Sequence, residues 1–247
     1  MSPVLTAALL LGASSLLGSL MGFIVRKIPH KLNDIFLGFC AGMMLAAAIV
    51  CLALPAVEAA GDGGLWQVAL GVIAGAFVIS MLDRLTPHLH NLTGLDPEEH
   101  EHNSTLNRVM LFVIAIAIHK LPEGMATGVA FDASHLANAD ALSLTIALQN
   151  VPEGMVVVTP LLVAGVKTWR TLMVALVVAS LEMSGVFLGY WLGSLSEVLL
   201  PPMMGMAAGA MLYVISDEMI PETHSHGYQK AATFAMIFGF VTMLFIE

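Results

Sequence analysis

Ile116-Ala-Ile-His-Lys-Leu-Pro-Glu-Gly-Met125 and Ile146-Ala-Leu-Gln-Asn-Val-Pro-Glu-Gly-Met155 decide how this chain is read. Laid on one another at an offset of thirty residues, they agree at six of ten positions. Each puts a side chain able to bind metal four residues ahead of a glutamate, with a proline just before the glutamate. Residues i and i+4 of a helix lie roughly 40° apart around its axis, so His119 shares a face with Glu123, and Gln149 with Glu153. Each proline removes a backbone donor and frees the carbonyl four residues earlier, which predicts a local kink in apolar surroundings. Carboxylates in such a place are costly and mark an ion pathway.

The surroundings are those of a membrane protein. The 247 residues are 58% hydrophobic and 11% charged, with a mean hydropathy of +0.88, whereas a soluble chain carries about 25% charged residues. Apolar runs of some twenty residues, each closed by Gly, Pro or charge, predict an all-α integral membrane protein with one transmembrane domain over 1–247. Eight spans are expected, at about 4–25, 35–59, 64–85, 107–131, 139–165, 170–194, 200–220 and 228–246. The start lacks a basic segment and a cleavage site, so 4–25 reads as a first span and not a removed signal peptide. Cys40 and Cys51, eleven residues apart on one span, are too distant for a disulfide and read as packing residues. The formal charge of −9 is split between loops and spans, and no basic patch offers a nucleic-acid surface.

Loop charge sets the orientation. Arg26, Lys27, Lys31, Arg84, Arg108, Lys167, Arg170 and Lys230 all border odd-numbered loops, and Lys120 alone lies inside a span. By the positive-inside rule those loops are cytoplasmic and both termini extracytoplasmic. The longest loop, about 86–106, holds His88, His90, His100 and His102 with Asp96, Glu98, Glu99 and Glu101. Two His-x-His pairs among carboxylates read as a weak, exchangeable metal-holding surface. The segment Asp217-Glu-Met-Ile-Pro-Glu-Thr-His-Ser-His226 repeats this chemistry on the same face. Gly71-x-x-x-Gly75, Gly185-x-x-x-Gly189 and Gly205-x-x-x-Gly209 read as close helix packing.

Spans four and five are antiparallel, so their prolines meet near mid-membrane as an inverted pair, a recurring transporter design. One motif contributes His119, Lys120 and Glu123, the other Gln149, Asn150 and Glu153, and the sixth span adds Glu182. Three carboxylates and an imidazole on consecutive spans point to a cation site. Their mixed nitrogen and oxygen donors suit Zn²⁺, Fe²⁺, Mn²⁺, Co²⁺ or Cd²⁺. The alternative, an intramembrane metal-dependent hydrolase, would need an open water position and a nearby general base. No His-Glu-x-x-His or Ser/His constellation is present in the sequence.

His119-Lys-Leu-Pro-Glu-Gly124, Gln149-Asn-Val-Pro-Glu-Gly154, Gly42-Met-Met44 and Ile220-Pro-Glu-Thr-His224 resemble the ZIP family of divalent-metal transporters, especially its GufA-like bacterial branch. The resemblance covers essentially all eight spans. It implies a 3+2+3 inverted-repeat bundle, a homodimer in the inner membrane, and elevator-like movement of spans one, four, five and six. It implies no enzyme activity and no organic cofactor. The substrate it implies is mainly Zn²⁺, with Fe²⁺, Mn²⁺, Co²⁺ or Cd²⁺ variably accepted, flowing into the cytoplasm. By position the implied primary site is Met44, His119, Glu123, Gln149, Glu153 and Glu182. Asp83, His88, His90, Asp217 and Glu218 are the implied exit ligands. One position departs from the pattern: Lys120 stands where the family commonly has an Asn that serves a second metal. Glu123, Glu153 and Glu182 against Lys120 leave a formal −2, which matches a single divalent ion.

Overall fold

A computed structural model describes residues 2–25, 28–92, 119–132 and 138–246. Among them every regular element is helical: α1 (Pro3–Val25), α2 (His30–Ala60), α3 (Leu65–Leu92), α4 (119–132), α5 (Ala139–Val163), α6 (Thr168–Gly193), α7 (Leu200–Thr223) and α8 (Gln229–Ile246). Seven of these are long and apolar enough to cross a membrane. The remaining expected span, about 107–131, is described only over 119–132, where it is helical. The chain is an all-α membrane protein, as its composition requires.

Prolines shape these helices without ending them. In α2 and α7 a wide turn precedes a proline: Ala48–Ala53 before Pro55 and Ile215–Met219 before Pro221. There the Leu54 amide bonds Ile49 and the Ile220 amide bonds Ile215, five residues back, which gives the ring room against the preceding turn. α5 runs unbroken through Pro152 and Pro160, and Asn138 caps it by accepting from the Ala141 amide at 3.1 Å. The third span departs from expectation. Helix α3 continues through Pro87 to Leu92, so His88 and His90 stand on a helix and not in a loop that opens near 86. A single proline deletes one backbone donor, and Leu85, Leu89 and Leu92 are otherwise good helix formers. Residues 93–106 lie outside the described ones.

Small residues bring the helices together in four pairs. On α1 and α5, Gly18 faces Val151 and Gly22 faces Met155 and Val158. On α4 and α6, Gly124 faces Glu182 and Gly128 faces Val186 and Tyr190. Gly38 and Gly42 of α2 meet Ala232 and Met236 of α8, while Gly71 and Gly75 of α3 meet Pro202 and Met206 of α7. In each pair both numbers rise together, so all four pairs run parallel. A Cβ at Gly42 or Gly75 would overlap the facing backbone, which is why the seams carry glycine. Exchanging α1 with α6, α2 with α7, α3 with α8 and α4 with α5 maps the four pairs onto one another. α2 and α5 are mostly buried; α3 and α8 are peripheral, with Ile73, Phe77, Phe234 and Phe238 facing outward.

Candidate metal site

The two motif turns face each other at the centre of this arrangement. His119, Lys120, Glu123, Gln149, Asn150, Glu153 and Glu182 are each at most 7% exposed. Lys120 lies at their middle. Its Nζ donates to Glu123 Oε2 at 2.6 Å, to Asn150 Oδ1 at 2.5 Å and to Glu153 Oε2 at 2.5 Å. Glu182 Oε1 is 3.8 Å from the same ammonium. The i,i+3 spacing of Lys120 and Glu123 sets the first contact, and the parallel α1–α5 and α4–α6 seams bring in the others.

Neighbouring polar groups then fix the carboxylates. Gln149 Nε2 donates to Glu123 Oε1 at 3.2 Å. Asn150 Nδ2 donates to Glu182 Oε1 at 2.7 Å, and Ser15 Oγ of α1 donates to Glu182 Oε2 at 2.5 Å. Asn150 Nδ2 also reaches Ser14 Oγ and the Leu11 carbonyl, at 3.2 and 3.3 Å. Two buried acceptors, Gln149 Oε1 and Glu153 Oε1, have no hydrogen-bond partner among the described residues. Buried oxygens left in this way are expensive unless water or a cation satisfies them. Among the described residues, no three His, Cys, Asp or Glu side chains yet surround a common point. The ammonium fills the space between the carboxylates.

The expected exit residues divide. Glu218, on the wide turn of α7, comes within 2.9 Å of His119 Nε2, which links the end of α7 to the central cluster. Asp217 beside it is exposed. Asp83, His88 and His90 fall on the last turns of α3, whose side chains lie outside the described ones, as do His100 and His102. Met44 is buried in the apolar core of α2, one turn beyond Cys40. Cys40 Sγ approaches the Gln149 carbonyl at 3.5 Å, so this part of α2 packs against the second motif. The Ser14 and Ser15 contacts leave no mark in the sequence beyond two adjacent hydroxyls in an apolar span.

An apolar helical bundle closed around a buried cluster of charged side chains defines a multi-span membrane protein with ionisable groups in its interior. Comparison with known proteins agrees. The family profile described as ZIP zinc transporter matches residues 93–247. The chain is 40% identical over 241 residues to zinc transporter ZIPB of Bordetella bronchiseptica, covering 95% of this chain and 77% of that one. It is 35% identical to zinc transporter GufA of Myxococcus xanthus, over 98% of this chain and 97% of the relative. It is 31% identical to zinc transporter ZupT of Chlorobium chlorochromatii, over 94% and 91%. The chain belongs to the ZIP zinc transporter family.

Proposed function

We propose that the protein carries divalent transition-metal ions, zinc foremost, across the inner membrane into the cytoplasm. The ion is held at mid-membrane by His119, Glu123, Gln149 and Glu153, with Met44 approaching from α2 and Glu182 holding the cluster's charge. One observation carries this reading: three buried glutamates share one ammonium, and Gln149 Oε1 and Glu153 Oε1 stay unsatisfied. Such a cluster is costly in a membrane interior unless it serves an ion. Lys120 stands in for a second cation, so one divalent ion balances the remaining charge. Fe²⁺, Mn²⁺, Co²⁺ and Cd²⁺ offer the same coordination chemistry. Glu218, beside His119, takes the ion next, followed by Asp217 and the Asp83, His88 and His90 end of α3. With both termini outside, these exit groups face the cytoplasm.

The exchange symmetry of the helix pairs supports a 3+2+3 inverted repeat. It also separates α1, α4, α5 and α6 from α2, α3, α7 and α8. Between α4 and the α3–α7 pair lies an apolar cavity of about 70 Å³, lined by Ile79, Pro122, Met125 and Met206. An apolar gap at this boundary suits an elevator movement of the first set within a homodimer. The hydrolase alternative finds no support among relatives named as transporters. Zinc uptake into proteoliposomes tests the reading. Wild-type protein accumulates zinc, and folded Glu153→Ala and Glu123→Ala lose uptake. Uptake at the wild-type rate in the Glu123→Ala/Glu153→Ala double variant rejects the site.

A further inference from the structure

Asp34 is a second buried carboxylate that the central cluster does not use. It lies one turn into α2 and has no solvent exposure. Oδ1 is 3.0 Å from His226 Nδ1, contributed by the turn between α7 and α8. Oδ2 is buried without a hydrogen-bond partner among the described residues. His30, four residues before Asp34 on the same helix face, stacks on His226 with ring centroids 4.4 Å apart and planes 24° apart. A simple anchor for the turn accounts for Oδ1, but not for the unsatisfied Oδ2 or the second imidazole.

We propose that His30, Asp34 and His226 form a separate site for a divalent transition ion such as Zn²⁺ or Co²⁺, pinning the α7–α8 turn onto α2. The donor set, two imidazoles and a carboxylate, is that of an open zinc site with room for water. Ligand atoms about 2.0–2.2 Å from a tetrahedral ion stand about 3.3–3.6 Å from one another. The present 3.0 Å between Asp34 Oδ1 and His226 Nδ1 is close to that, so an ion replaces the shared hydrogen with a small opening of the pair. The stacked rings do not yet surround a common point. His30 is exposed and turns out of the stack to become the third ligand. No residue is shared with the central cluster, so the proposal stands or falls independently of transport.

The test uses full-length purified protein carrying His88→Ser, His90→Ser, His100→Ser and His102→Ser, which removes competing imidazoles. Bound Zn²⁺ is counted by equilibrium dialysis and elemental analysis, and Co²⁺ absorption reports the ligand set. His30→Ala, and separately His226→Asn, which keeps a donor for Asp34, are expected to weaken one Zn²⁺ per chain at least tenfold. The same ion is expected to persist in Glu153→Ala. Unchanged zinc count and affinity in His30→Ala overturns the proposal. Because His30 is exposed, that variant settles the matter even where His226→Asn fails to fold.

Discussion

Lys120→Asn asks what the ammonium at the centre of the bundle contributes. In the native protein Nζ touches Glu123, Asn150 and Glu153 at 2.5–2.6 Å and has Glu182 at 3.8 Å. Removing it leaves three buried carboxylates with no counter-charge from this residue. Deleting one partner of a buried pair costs roughly 3–5 kcal/mol, so the metal-free variant is expected to lose that much stability. The shorter amide also vacates space beside the freed oxygens of Glu123 and Glu153, and a second divalent ion enters there. An ion present at a hundredfold its Kd returns about 2.7 kcal/mol, so zinc restores most of the loss in the variant. Elemental analysis in a His30→Ala background, which lacks the ion on the α7–α8 turn, is expected to find one tightly bound Zn²⁺ per chain with Lys120 in place and two with Lys120→Asn. Melting with and without chelator is expected to show a larger zinc-dependent gain in the variant. Two tightly bound ions in His30→Ala with Lys120 in place, or the same number with and without Lys120, refutes the stand-in role.

Other perturbations read other parts of the cluster. Ser15→Ala removes a buried donor from Glu182 and is expected to cost about 1.5–3 kcal/mol, the range for hydrogen bonds to charged groups, seen as a lower midpoint in chelator-treated protein. Replacing His88, His90, His100 and His102 together with Ser is expected to change the uptake rate at saturating zinc. The ranking of zinc, cobalt and cadmium in competition uptake is expected to stay as in the wild type. Loss of central-site zinc binding on that change means the primary ligands are misassigned.

The paired Pro-Glu motifs were legible because they set charge and proline into apolar helices, where neither belongs by default. The contact from Lys120 to Glu123 was legible too, since i,i+3 spacing is a local property of one helix. The contacts of Lys120 with Glu153 and Asn150 required α4 and α5 to face each other, which the repeated motif suggested. What local reading missed depends on distant segments. Ser15 meets Glu182, and Asp34 meets His226, across most of the chain length. Periodicity says which face of a helix is polar, but not which partner arrives there. The end of α3 differs from the expected span of about 64–85 for a simpler reason: Pro87 removes a single backbone donor, and the chain carries the helix past it to Leu92.

The pairing of α2 with α8 and of α3 with α7 has a consequence for biogenesis. Gly42 meets Met236 and Gly75 meets Met206, so α2 and α3 find these partners only after α8 and α7 have been made. At about 5–20 residues per second, α2 waits on the order of tens of seconds for α8. During that interval glycine-lined grooves of α2 and α3 are filled by lipid or by insertion machinery. A ribosome that stalls before α7 therefore leaves a chain in which α2 and α3 are inserted but lack these partners. Quality-control proteases that recognise unpaired transmembrane segments have their widest opportunity there.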